Sequence, residues 1–190
     1  MNFFRRIGSF FLDLIETTVI ALAIFIIIYL FLFQPHQVRG NSMYPNFHDG
    51  EYILTDKASY HLREPKRGDV IIFHAPRNEE YDYIKRIIGL PGEIVSVKEG
   101  QILINHKILN EIYLPETYIT NSGSFLQIGE DISIPEDQYF VLGDNRSYSS
   151  DSREWGLVPK TNIVGKAWLR YWPADRLGSI SEVHYQVLSP

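Results

Sequence analysis

The longest unbroken hydrophobic stretch of the chain runs from Thr17 to Phe33, where every residue is apolar, aromatic or threonine, so no face of a helix there would be polar. At 1.5 Å per residue these positions make a helix of about 26 Å, and the preceding Ile7–Ile15 stretch lets it extend across a hydrocarbon core of roughly 30 Å. Asp13 and Glu16 would then sit near one lipid boundary. A removable signal peptide is the rival reading, with Arg5 and Arg6 as its basic end, but no Ala-x-Ala-like site follows the run. The two arginines favour a cytoplasmic N-terminus by the positive-inside rule, which puts everything after Phe33 outside the cytoplasm. The pattern therefore divides the chain into an anchor over residues 1–33 and an outer unit over residues 34–190.

Beyond the anchor the pattern changes to short runs rich in β-branched and aromatic residues. Glu51–Thr55, Val70–Phe73, Tyr83–Ile88, Ile94–Val97, Ile102–Ile104, Tyr139–Leu142 and Ile163–Tyr171 are each predicted as strands. Turn residues separate them at Gly68-Asp69, Pro91-Gly92, Glu99-Gly100, Asn105-His106 and Gly143-Asp144-Asn145, and Glu99-Gly100 predicts a hairpin. No long stretch has helical periodicity, which argues against a βαβ fold with a parallel sheet and for a mostly β outer unit. Residues from about 110 to 133 are polar and weakly patterned, and are expected to form an excursion from the sheet.

Composition narrows the function classes. Residues 1–33 carry two arginines and two acids, so the net charge of −5 belongs to the outer unit, and a nucleic-acid binder with a basic stripe is not expected. The chain has no cysteine, which removes disulfides, thiol catalysis and thiolate metal sites. No HExxH or paired-histidine spacing points to a metal, and no cofactor motif is present.

Candidate chemistry begins at Ser42, in the compact sequence Ser42-Met43-Tyr44-Pro45 with Gly40 before it. Nine extended residues from Phe33 reach at most roughly 30 Å, so Ser42 lies close to the membrane surface. A serine nucleophile needs a base to take its proton. His36 and His48 lie near in sequence, but neither sits in a recognisable triad signature. Lys85 is the better candidate. In a strand, Tyr83, Lys85 and Ile87 share one face and Ile84, Arg86 and Ile88 the other, so both cations point with apolar neighbours. At least one must be buried, snorkelling or paired. A solvated edge-strand lysine fits the same pattern. A buried one would act as a base, because burial can lower its pKa by up to roughly 3–5 units from about 10.4. The stretch Gly143 to Arg153 holds four serines, two acids, two arginines and an asparagine directly after an apolar strand. It suits either a solvated loop or an ion-pair network that rigidifies a site.

These segments together resemble the type I signal peptidases. Ser42-Met43-Tyr44-Pro45 resembles the family's nucleophile block. Gly68-Asp69-Val70 with Phe73 and Pro76 resembles the next, Lys85 to Gly92 the base block, and Gly143 to Arg153 the last. The resemblance implies an all-β extracytoplasmic catalytic domain of antiparallel sheets behind one N-terminal transmembrane helix, in a single-pass protein of the cell membrane. It implies a serine endopeptidase that removes signal peptides from secreted preproteins, recognising small residues at the first and third positions before the cut. Its partners would be preproteins and the lipid bilayer, with no nucleic acid, metal or cofactor. By the same resemblance, Ser42 is the nucleophile and Lys85 the general base, and Ser149 orients the Lys85 amine. Asp144, Arg146, Asp151 and Arg153 form the supporting network. Val38, Met43, Phe47, Tyr83 and Ile84 line shallow pockets for the substrate's small residues, although the same residues could simply be core.

The sequence departs from the family at two places. Gly40 stands where the Gram-negative version has a serine hydroxyl that helps stabilise the oxyanion, and Glu93 stands where many relatives have aspartate. Two other functions remain open. A non-catalytic chaperone for pilin-type substrates would lack Ser42 or Lys85, and this chain keeps both. A self-cleaving Ser/Lys repressor would need an N-terminal DNA-binding helix pair where the apolar run stands.

Overall fold

The computed structural model describes residues 2–76, 78–183 and 185. The side chains of Arg5 and Arg6, on which the expected orientation rests, lie outside the described residues, as do the last five residues of the outer unit. Helix α1 (Asn2–Leu32) contains one stretch, Ile7–Tyr29, of 23 residues that is long and apolar enough to cross a membrane, and none of it is buried by the protein. Its length of about 34 Å exceeds a hydrocarbon core of roughly 30 Å.

The outer unit is built from β1 (Phe33–Gln37), β2 (Tyr52–Asp56), β3 (Val70–Ala75), β4 (Asn78–Gly89), β5 (Ile94–Lys98) and β6 (Gln101–Ile104). The rest are β7 (Lys107–Ile108), β8 (Ile132–Ser133), β9 (Gln138–Leu142), β10 (Val158–Pro159), β11 (Ile163–Trp172) and β12 (Gly178–Ser179). Two one-turn helices, α2 (Ser59–Leu62) and α3 (Ser152–Trp155), join them. The larger sheet has the order β1-β2-β11-β3-β4-β9-β10 with β12 on β11, and the smaller has the order β7-β6-β5-β8. Every pairing between these strands is antiparallel. All seven predicted strands form, within a few residues of their expected ends. The Glu99-Gly100 hairpin forms with both residues at positive φ, where glycine is unstrained. β1 begins at Phe33, so the anchor helix runs directly into the sheet without a linker. The five short or edge strands β1, β7, β8, β10 and β12 have too few apolar residues to show a period.

The excursion over residues 110–133 is mostly irregular, as expected, but it is not outside the core. Leu126 is fully buried with Ile88, Val95, Ile102 and Phe140 between the small sheet and the ends of β4 and β9. Thr120 is buried as well. A single inward leucine in a polar segment leaves no period to read.

The second half of β4 explains the burial of two cations. Ile87 packs with Ile71, Phe73 and Val141, while Ile88 packs in the cluster under the small sheet, so both faces of the strand are covered. Lys85 is 5% exposed and Arg86 3%. The Arg86 guanidinium donates to both Asp144 carboxylate oxygens, at 2.8 and 2.6 Å, and to the Gly68 carbonyl at 2.9 Å. Removing one partner of such a pair leaves an uncompensated buried charge, at a cost of about 3–5 kcal/mol. Arg86→Met should therefore lower stability by that order in denaturant unfolding of the detergent-solubilised protein. Arg86→Met combined with Asp144→Leu should recover a large part of the loss. A single variant as stable as the unmodified protein would contradict this account.

Candidate active site

Ser42 sits at the start of a tight turn that local bonds hold closed. Tyr44 N–H donates to the Asn41 carbonyl at 3.2 Å and Phe47 N–H to the Met43 carbonyl at 2.9 Å. Gly40 adopts φ +82, a conformation that disfavours any side chain, and its N–H donates to Asp49 Oδ1 at 2.7 Å. The absence of a hydroxyl at this position follows from that backbone turn. On the other side Asn145 clamps the same segment, its N–H on the Ser42 carbonyl and its Nδ2 on the Asn41 carbonyl, both at 3.0 Å.

Gly143 permits this approach. A Cβ there would overlap the Ser42 carbonyl oxygen and the Ser149 hydroxyl. Strand β9 and the loop after it can thus lie against the Ser42 turn only because position 143 has no side chain.

Lys85 Nζ stands 2.9 Å from Ser42 Oγ and donates to the Ile84 carbonyl at 3.0 Å. Burial pushes the Lys85 amine down to about 8, an effect that the charges of Asp151 and Asp144 oppose. Among the described residues it is the one buried cation that forms no ion pair. A lysine in this state holds a substantial fraction of free amine at mildly alkaline pH, and its lone pair can accept the Ser42 hydroxyl proton.

The structure brings Asp144, Arg146, Asp151 and Arg153 into hydrogen bonds that extend to residues the sequence did not single out. Asp144 binds Arg86 and accepts from Asn46 Nδ2 at 2.8 Å. Asp151 accepts two bonds from Arg153 at 2.8 Å and one from Gly143 N–H at 3.1 Å. Arg146 donates to Glu111 at 2.7 Å and to the Thr120 hydroxyl at 2.6 Å. Besides Asn46, the members that the sequence did not assign are Arg86, Glu111 and Thr120. The adjacent cations at 85 and 86 were a signal for the first; nothing in the polar excursion marked the other two. Glu93 accepts from Leu90 N–H at 2.8 Å and pairs with Arg67, so the longer acid closes the Pro91-Gly92 turn.

Ser149 departs from expectation. Its hydroxyl is buried beside Gly143 and Ser42, yet it forms no bond to Lys85 and has no hydrogen-bond partner among the described residues. The Ile84 carbonyl takes the place of that acceptor.

The dyad opens into a cleft of about 260 Å³ whose walls include Val38, Tyr83 and Ile84, with Ile53 and Ile72 beneath. Met43 and Phe47 do not line it. They are 1% and 2% exposed and pack with Val38, Ile53 and Val70 under the turn, because successive residues of a tight turn point in different directions. His36 reaches the cleft instead, from β1. His48 is turned away from Ser42, beside Glu51 and Arg176.

Known proteins are similar to this chain along most of its length. A probable signal peptidase I-2 from Synechocystis sp. is 36% identical over 176 residues, covering 90% of this chain and 78% of that protein. Signal peptidase I P from Bacillus subtilis subsp. natto is 37% identical over 177 residues, covering 91% of this chain and 95% of its own length. A crystal structure of a signal peptidase I from Enterococcus faecalis V583 is 33% identical, with a TM-score of 0.45 over 55% of this chain and 97% of that one. The family described as "Signal peptidase, peptidase S26" matches residues 11–172, a span that includes Ser42, Lys85 and the Gly143–Arg153 loop. By that match and the identities to the Synechocystis and Bacillus proteins, the chain belongs to the signal peptidase family, peptidase S26.

Proposed function

We propose that Ser42 and Lys85 are the nucleophile and general base of a membrane-anchored peptidase that removes signal peptides from secretory preproteins. The observation that carries this is the 2.9 Å approach of an unpaired buried amine to the Ser42 hydroxyl. Lys85 Nζ takes the proton as Ser42 Oγ adds to the scissile carbonyl carbon. The resulting ammonium returns a proton to the leaving amine as the peptide C–N bond breaks. The ester left on Ser42 is hydrolysed by a water that Lys85 deprotonates in turn. Ser42 N–H is the proposed donor to the oxyanion, since Gly40 offers no hydroxyl. Asp144, Arg146, Asp151 and Arg153 keep the Gly143–Arg153 loop against the nucleophile turn, and Ser149 fills the space behind it. A chaperone role would call for neither a hydroxyl nor an unpaired amine at these positions.

The bilayer is the second proposed partner. Tyr29 at the end of the apolar span contacts Phe33, and Phe33 stacks on Trp168 of β11 at 5.2 Å. Tyr52 and Tyr171 continue the aromatic surface. Aromatic rings of this kind favour the lipid–water boundary. With Arg5 and Arg6 on the cytoplasmic side, the catalytic domain over residues 34–190 stands outside, and the cleft opens where a signal peptide leaves the membrane.

Ser42→Ala should abolish preprotein cleavage and leave the fold intact by circular dichroism. Lys85→Arg should be equally inactive, because a guanidinium stays protonated. Full cleavage by Lys85→Arg would remove the Ser/Lys assignment.

The pH profile supplies an independent check. The free amine is the active form, so kcat/KM should rise about tenfold per pH unit below the Lys85 pKa, which lies at about 8, and level off above it. A flat profile between pH 6 and 9 would contradict a lysine base.

Val38, Tyr83 and Ile84 leave little room beside the dyad. Forcing a larger side chain into a packed pocket costs about 1–3 kcal/mol, or roughly 5- to 150-fold. Peptides with Ala just before the cut should therefore be processed faster than those with Leu by a factor in that range. Equal rates in a competition assay would show that these residues are core and not pocket.

A further inference from the structure

Two polar contacts among the described residues join the walls of the cleft. One is the Ser42–Lys85 pair, and the other is His36 on β1 with Asp82 on β4, at 3.2 Å. β1 and β4 are not neighbours in the sheet; β2, β11 and β3 lie between them. The sheet must curl to bring them face to face, and no backbone ladder fixes their separation. Side chains do, at two points three residues apart on β4 and six apart on the other wall.

The His36 ring is held on both nitrogens. A carboxylate accepts only, so Nε2 carries the proton given to Asp82, and in the neutral ring Nδ1 accepts from the buried Thr55 hydroxyl at 2.8 Å. Thr55 lies on β2, under β1, and sets the plane of the imidazole. The other Asp82 oxygen accepts from His74 Nδ1 at 2.9 Å, across the register pair His74↔Asp82 of β3 and β4. Asp82 is thus fixed from one side by its own hairpin, while His36 reaches it from the opposite wall. Both His36 and Asp82 line the cleft.

We infer that His36 and Asp82 form a latch that sets the width of the cleft at its end remote from Ser42, and so limits the substrate side chain accepted there. The inference rests on the cleft being the substrate site. His36 and Asp82 act as positioning residues: they determine how far β1 and β4 stand apart, while the Ser42–Lys85 contact holds the other end. Cutting the latch should relax selection at one upstream substrate position and leave the position next to the cut unaffected.

The test uses the full-length protein in detergent and a peptide set in which each of the upstream positions is varied singly among Ala, Val, Leu and Lys. Its readout is the Leu-to-Ala ratio of kcat/KM at each position. His36→Ala should raise that ratio about tenfold or more at one position remote from the cut, a size typical of pocket discrimination. Asp82→Ala should do the same, and the double variant should go no further than either, because both open one contact. His36→Gln, whose amide N–H can still reach Asp82, should restore the original selection. An unchanged ratio in both alanine variants, or an equal rise at every position, would overturn the latch while leaving the peptidase assignment in place. No cleavage of any peptide by the unmodified protein would overturn the substrate site, and the latch with it.

Discussion

Two cations stand side by side on β4, on a strand whose two faces are both covered, and only one of them has a carboxylate. Burying a charge without a partner is costly, so the imbalance must be relieved either by an ion pair or by loss of the proton. Arg86 takes the first course with Asp144. Arg146 and Arg153 do the same with Glu111 and Asp151, and Lys166 with Asp69. Asp144 and Asp151 are each already committed to a guanidinium, so Lys85 is left with a carbonyl and the Ser42 hydroxyl. Its amine gives up its proton readily for that reason. The arginines matter to the chemistry by occupying the carboxylates that would otherwise hold Lys85 charged.

The same network supports the position of Ser42. Asp151 holds Gly143 N–H, Gly143 lies against the Ser42 carbonyl, and Asn145 donates to the successive carbonyls of Asn41 and Ser42. Arg146 extends the support into the irregular segment after β7 through Glu111 and Thr120. That segment looks dispensable by its composition, yet it provides the counter-charge for one arginine and a leucine for the core. Ser42 is therefore placed by the packing of distant segments, and its own turn fixes only the local shape.

The curl of the large sheet gives the site its opening. Strands β1 and β4 face each other across Ile53 and Ile72, one wall continuing directly from the membrane helix and the other carrying Lys85. The rings of Tyr29, Phe33 and Trp168 connect that helix to the middle of the sheet. Anchor, aromatic surface and cleft form one continuous arrangement, which fits a substrate that arrives through lipid.

Most of the strands were legible in the sequence because β-branched and aromatic runs between turn residues carry a period of their own. The membrane helix, the Ser42 and Lys85 blocks and the Gly143–Arg153 loop were legible for the same reason: each is local, and its residue types suffice to identify it. The pattern of β4 also showed that its cations could not both lie in water. It could not show that both are buried, since that depends on the small sheet covering one face and on Tyr60 and Trp155 packing over the cluster on the other. Nor could it place Met43 and Phe47 in the core, separate Ser149 from Lys85, or bring His36 to Asp82 and Glu111 to Arg146. Those contacts join residues dozens of positions apart, and they exist because an antiparallel sheet curls and its loops fold back. The sequence by itself determined the elements and the residue types available for chemistry. The tertiary structure decided which charges would find partners, and so which amine would be left without one.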